Sequence, residues 1–117
     1  MVKSQNPEIH IVNAFSLSML KNPRNALIEF RRISPEEARE LLSGGRAVHY
    51  IRHQSTLSLI QQLAGRQLEA GGSIYEYQPG HIVIMAVLIN PARGQEVETR
   101  IEDIAFYRII VRELEME

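Results

Sequence analysis

Nine consecutive residues, His81 to Ile89 (HIVIMAVLI), are apolar in all but the first position. A run of that length and β-branched content reads as a central strand buried on both faces, and such a strand needs a layer of structure on either side of its sheet. The rest of the 117-residue chain alternates strand and helix signals that can supply those layers. Glu8 to Asn13 reads as a strand, followed by a short helix over Ala14 to Leu20 that the turn residues of KNPRN stop. Leu27 to Ile33 is a second strand. Ser34-Pro-Glu-Glu37 then opens a helix, with Ser34 as cap, Pro35 in the first position and Glu37 closing a capping box; Gly44-Gly45 ends it. Ala47 to Ile51 is a third strand, Arg52 to Gln54 a turn, and Ser55 the cap of a helix with Leu57, Ile60, Leu63 and Ala64 on one face and Gly65 as its stop. Ile74 to Tyr77 reads as a fourth strand before a Pro79-Gly80 turn, and Asn90 to Gly94 breaks the apolar run. A final strand covers Ile104 to Val111. The expected fold class is therefore α/β, with residues 1–117 forming a single domain in which a mixed sheet of five to six strands is flanked by short helices.

Composition narrows the function classes. Cysteine is absent, which removes disulfides, thiolate zinc sites and a cysteine nucleophile and suits a reducing cytoplasm. No apolar stretch approaches the roughly 20 residues of a membrane span, so no membrane partner is expected. The net charge of −1 argues against a general grip on long nucleic acids. The charge is unevenly spread, with eight basic and four acidic residues between Leu20 and Arg66 and four basic against nine acidic from Gln67 onward. Eleven of the thirteen basic residues are arginine, whose flat fork pairs with phosphate or carboxylate. A middle third rich in arginine suits either an ordinary solvated surface or an anion site.

Two strand-to-helix junctions carry the chemistry. One is Asn13-Ala14-Phe15-Ser16; the other is Arg52-His53-Gln54-Ser55-Thr56. In an open α/β sheet the crevice beyond the carboxyl ends of parallel strands is the favoured ligand site, and each helix start offers free N–H groups to an anion. Were the two strands neighbours, Asn13, Ser16, His53, Ser55 and Thr56 would converge on one pocket. Ser55 is sufficiently explained as a cap, whereas His53, in a polar turn beside Arg52, suits acid or base work near neutral pH. His49 and His53 stand four apart, but a strand followed by a turn spoils the helical geometry of a metal pair, and there is no H-E-x-x-H; no metal and no cofactor are expected.

The block Asn13-Ala-Phe-Ser16-Leu-Ser-Met-Leu20, followed by a strand that leads into His53-Gln54-Ser55-Thr56 and an apolar helix ending at Gly65, resembles the small viral anti-CRISPR ring nucleases of type III systems. The likeness extends over about a quarter of the chain. It implies a homodimer that binds a cyclic oligoadenylate, the tetra-adenylate foremost, and cuts it without metal. In that scheme a ribose 2′-hydroxyl attacks the adjacent phosphate, and His53 protonates the departing 5′-oxygen. Arg52 and the helix start at Gln54, Ser55 and Thr56 balance charge, and the Asn13, Ala14, Phe15 and Ser16 segment holds the ligand. Two departures stand out: Arg52 occupies a position where relatives often have glycine, and the Arg/Glu pair that often follows the long strand has only Arg93 and Glu96 as candidates here. The loss of that pair favours an alternative, a protein that sequesters a cyclic nucleotide without cutting it. A third alternative is an interaction protein with no nucleotide role, in which His53 and the arginines are surface.

Overall fold

In the computed structural model, residues 7–89 and 100–116 are described. Six strands form one sheet: β1 (Ile9–Val12), β2 (Asn25–Ile33), β3 (Ala47–His49), β4 (Glu69–Ala70), β5 (Ile82–Leu88) and β6 (Ile104–Glu115). Two α-helices, α1 (Pro35–Ser43) and α2 (Gln54–Ala64), and two 3-10 turns, Leu17–Leu20 and Ile101–Asp103, connect them. The strand order is β2-β6-β5-β1-β3-β4. β1 runs parallel to β3 and to β5, β3 parallel to β4, and β6 antiparallel to both β5 and β2, so the sheet is mixed as expected.

The apolar run at 82–88 takes one of the two central places, between β1 and β6. Its Ile84 and Ala86 face α1 and α2, in one cluster with Ile9, Ile11 and Phe106 from the sheet and Ala38, Leu42, Ile60 and Ala64 from the helices. Its Val83 and Met85 face the other way, with Val12, Ile109 and Tyr75. Among the described residues that second layer holds no α-helix: it is formed by the Leu17–Leu20 turn and the irregular segment 71–80, tied together where Tyr77 N–H donates to the Met19 carbonyl (2.8 Å). α1 begins where its capping box dictates, with Glu37 N–H donating to Ser34 Oγ (3.1 Å) and Ser34 N–H to Glu37 Oε1 (3.2 Å).

Three local expectations are corrected. Residues 14–16 are not helical; the turn starts only at Leu17, because Ser16 is extended (φ −129°, ψ 165°). The cap of α2 lies two residues earlier than expected, at His53, which leaves Ser55 inside the first turn rather than capping it. Ile74 to Tyr77 is no strand: the edge beside β3 is taken by β4 at Glu69–Ala70, and the Tyr75 ring leaves the surface to fill the second layer. The last strand, by contrast, runs four residues past Val111, paired along β2.

Among the described residues His10 is the one buried polar side chain, at 6% exposure. Burial holds the His10 imidazole below its ordinary value, with the Glu8 hydrogen bond offsetting part of the effect; burial does the same to His49 and His81. The stability tied to an imidazole lowered in the folded state is fully present above its unfolded value of about 6.5, and is lost as pH falls from there through the lowered folded value. The carboxylates of Glu8, Glu29 and Glu69 are lowered chiefly by hydrogen bonds from His10, Arg112 and Arg46, so their contribution is lost only below about pH 4.3. Thermal denaturation in the presence of a chelator is expected to give a constant Tm above about pH 7. A first decline should set in as pH falls below about 6.5, and a second below about pH 4.3. A flat Tm from neutrality to pH 5 would contradict the burial of these rings.

Candidate functional site

Parallel pairing of β1 with β3 sets Ile11 opposite His49, and Tyr50 N–H extends the ladder by donating to the Ile11 carbonyl (3.0 Å). The two strands therefore end side by side, and the segments that leave them, from Asn13 and from Tyr50, diverge around an open cavity of about 340 Å³. That places the cavity at the carboxyl ends of adjacent parallel strands, the position that open α/β sheets favour for ligands. Asn13, Ser16 and Arg52, all exposed, line it. Ser18, Tyr50, Ser73 and Tyr75 complete the polar part of the wall.

Each lining residue is positioned by its neighbours. Ser16 caps the 3-10 turn through its backbone, and its hydroxyl shares a hydrogen bond with Ser18 Oγ (2.9 Å). Arg52 reaches across to the 71–80 segment, where its Nη2 donates to the Ser73 carbonyl (3.3 Å). Gly71 makes room for the wall itself, since a Cβ at that position would overlap the Tyr50 ring. Burial raises the Tyr50 and Tyr75 hydroxyls above the ordinary phenol value, so both are protonated at neutral pH and present O–H groups. The cavity thus offers a carboxamide, serine hydroxyls, two aromatic rings and one guanidinium, a lining suited to a ligand that carries phosphate and hydroxyl groups.

Not every sequence candidate reaches this cavity. His53 stands at the N-cap of α2, its carbonyl accepting from Leu57 N–H (2.9 Å), with an exposed side chain that makes no capping hydrogen bond. It follows Arg52 directly in the chain but is not among the residues that line the cavity. Gln54, Ser55 and Thr56 form the first turn of α2, whose N–H groups are those a helix leaves without an intrahelical acceptor. Ala14 is exposed, and Phe15 turns inward to the second layer, edge-on to Phe30 with ring centroids 6.5 Å apart. Arg93 and Glu96 lie outside the described residues. Sequence context singles out none of Tyr50, Ser73 and Tyr75 as part of this wall. Tyr50 is discoverable as the residue that follows β3 opposite the first junction, whereas Ser73 and Tyr75 belong to a segment whose path no periodicity reveals.

The family model described as STIV B116-like matches residues 9–108. Among solved structures the chain is similar to B116 of Sulfolobus turreted icosahedral virus, with a TM-score of 0.64 at 21% sequence identity, over 87% of this chain and 97% of that one. At that identity the likeness is one of fold. A search of curated proteins finds no match.

Proposed function

The chain belongs to the STIV B116-like family, and on that premise we propose that it is a metal-independent ring nuclease that binds and cleaves a cyclic oligoadenylate, the tetra-adenylate foremost. The observation that carries this is the adjacency of β1 and β3. It sets Asn13 and Ser16 of the first block and Arg52 of the second on the wall of one polar cavity, with His53 to Thr56 following Arg52 in the chain. Those are the blocks on which the resemblance to the anti-CRISPR ring nucleases rests.

The chemistry follows from the arrangement. A phosphate in the cavity meets the Arg52 guanidinium that lines it, and the first-turn N–H groups of Gln54, Ser55 and Thr56, next in the chain, are the further donors that would stabilise charge on the phosphoryl oxygens. Asn13 and Ser16 hold the ribose so that its 2′-oxygen lies in line with the bond to be broken, and much of the acceleration arises from that positioning. The 2′-hydroxyl gives its proton to solvent as its oxygen bonds to phosphorus, and the 5′-oxygen leaves with a proton from the His53 imidazolium, giving a linear product with a 2′,3′-cyclic phosphate. The nucleophile is part of the substrate, so the protein has only to orient it and to supply the proton.

The cavity is at the small end of ligand pockets, about 300–1,000 Å³, and so suits one nucleotide unit of a ring rather than the whole. A homodimer with a two-fold axis would present two such cavities to a ligand that itself has rotational symmetry. Leu27 and Phe30 on the edge strand β2 are 56% and 50% exposed, which is apolar surface available for such a contact.

His53 is not among the residues that line the cavity, and this favours the second reading, a protein that sequesters the ring without cutting it. Calorimetric titration with cyclic tetra-adenylate tests what both readings share. Saturable binding is expected, weakened about tenfold or more by Arg52→Ala, since a charge-assisted contact contributes roughly 1.5–3 kcal/mol. No heat and no binding at any accessible concentration would overturn both.

A further inference from the structure

Next to the cavity, at the hydroxyls of Tyr50 and Tyr75, three potential ligand atoms converge. Glu8 precedes β1, His10 lies within it and His81 precedes the adjacent β5; the register Ile9↔Ile82 and His10↔Val83 brings them together. Glu8 Oε1 is 3.0 Å from His10 Nε2 and 3.6 Å from His81 Nε2. All three atoms lie within 4.8 Å of one another. The two imidazoles stack, with centroids 4.2 Å apart. We propose that Glu8 Oε1, His10 Nε2 and His81 Nε2 form a binding site for a divalent transition metal of the zinc type, separate from the cavity and from the proposed reaction.

The outer contacts make this a built site rather than a chance grouping. Each ring has its other nitrogen on a tyrosine hydroxyl: His10 Nδ1 with Tyr50 Oη (3.1 Å) and His81 Nδ1 with Tyr75 Oη (2.8 Å). Outer hydrogen bonds of this kind fix the orientation of ligating histidines and leave the opposite nitrogen for the metal. A hydroxyl both donates and accepts, so each neutral ring can carry its proton on Nδ1 and turn the Nε2 lone pair inward. Metal–ligand bonds of about 2.0–2.1 Å in a tetrahedron separate neighbouring ligand atoms by roughly 3.3 Å, close to the two shorter distances here. Two imidazoles and one carboxylate form a set that zinc accepts, with a fourth position left to solvent. His10 is nearly enclosed, while the Glu8 side chain is 39% exposed and provides the way in.

The charges around the cluster allow a cation. Arg46 Nη1 donates to Glu8 Oε2 (3.0 Å), which leaves Oε1 free of it. The same guanidinium is gripped by Glu69, with Nη2 2.6 Å from Oε2 and Nε 3.0 Å from Oε1, so two carboxylates surround one arginine. With both imidazoles neutral, Glu8, Glu69 and Arg46 together carry one net negative charge. Because the ligand rings lean on Tyr50 and Tyr75, an ion here would also stiffen that wall of the cavity.

The test is a zinc titration of the untagged full-length protein after stripping with chelator, followed by calorimetry and thermal denaturation. Cobalt then serves as a spectroscopic probe. One ion per chain is expected, with a rise in Tm on zinc addition and a visible cobalt band of low-coordinate nitrogen and oxygen ligation. Glu8→Gln and His81→Gln should each weaken zinc about tenfold or more. The Glu8 side chain is partly exposed, so that variant remains informative if loss of a ring impairs folding. Absence of stoichiometric zinc, or zinc affinity unchanged in both variants, overturns the site. Neither result bears on cyclic oligoadenylate binding, which is measured separately and without metal.

Discussion

Replacement of His53 by alanine is expected to slow cleavage of cyclic tetra-adenylate about a hundredfold or more, with affinity for the uncut ring held within a few-fold. The proposed proton donor acts only as the 5′-oxygen departs, so its loss falls on the chemical step, and general acid catalysis typically contributes ~10²–10⁴ in rate. The geometry supports the separation of effects. Asn13, Ser16 and Arg52 line the cavity and His53 does not, so truncating the imidazole removes no lining contact. Single-turnover rates and equilibrium binding, measured on the same two proteins, check both halves. Equal rates would remove His53 from the mechanism, and a matched fall in binding would make it a binding group instead.

A second large effect is expected far from any ligand. Phe106 is 1% exposed and packs in the helix-facing cluster with Ile33, Ile84 and Ala86 of the sheet and with Leu42 and Ile60 of the helices. Its ring sits on β6, which joins the antiparallel β2 arm to the parallel part of the sheet, so a cavity there loosens the seam between the two. Phe106→Ala is expected to lose about 3–5 kcal/mol, from lost transfer energy and an unfilled cavity. In a domain of this size that corresponds to a fall in Tm on the order of 10–20 °C. A loss under about 1 kcal/mol in chemical denaturation would show that this layer is not close-packed.

Parts of this structure are legible in the sequence because their causes are local. Ser34 and Glu37 contain the whole start of α1, and Gly65, at φ +73°, contains the end of α2. The unbroken apolar run before Asn90 suits a strand covered twice, and β5 is one. Other parts depend on partners distant in the chain. The alternation at Ile74–Tyr77 imitates a strand, yet β4 already occupies the sheet edge and Tyr75 is needed in the layer against the sheet. His53 displaces Ser55 as the cap of α2, a two-residue shift that competing cap residues in sequence do not decide. The meeting of the two junctions is legible only as a condition, that β1 and β3 be neighbours; the pairing of Ile11 with His49 meets that condition, while only Asn13, Ser16 and Arg52 of the two junctions line the cavity. Nothing local links His10 to His81; their approach exists only in the register between β1 and β5.

If the cavity at the ends of β1 and β3 serves the cutting of a cyclic oligoadenylate, the most direct test is a single-turnover assay. The purified protein is mixed with cyclic tetra-adenylate in excess EDTA, and the products are resolved by mass. Disappearance of the ring is predicted, with linear products ending in a 2′,3′-cyclic phosphate. A ring recovered intact from protein that binds it would contradict the cleavage and leave sequestration. A ring neither bound nor cut would contradict the nucleotide reading altogether.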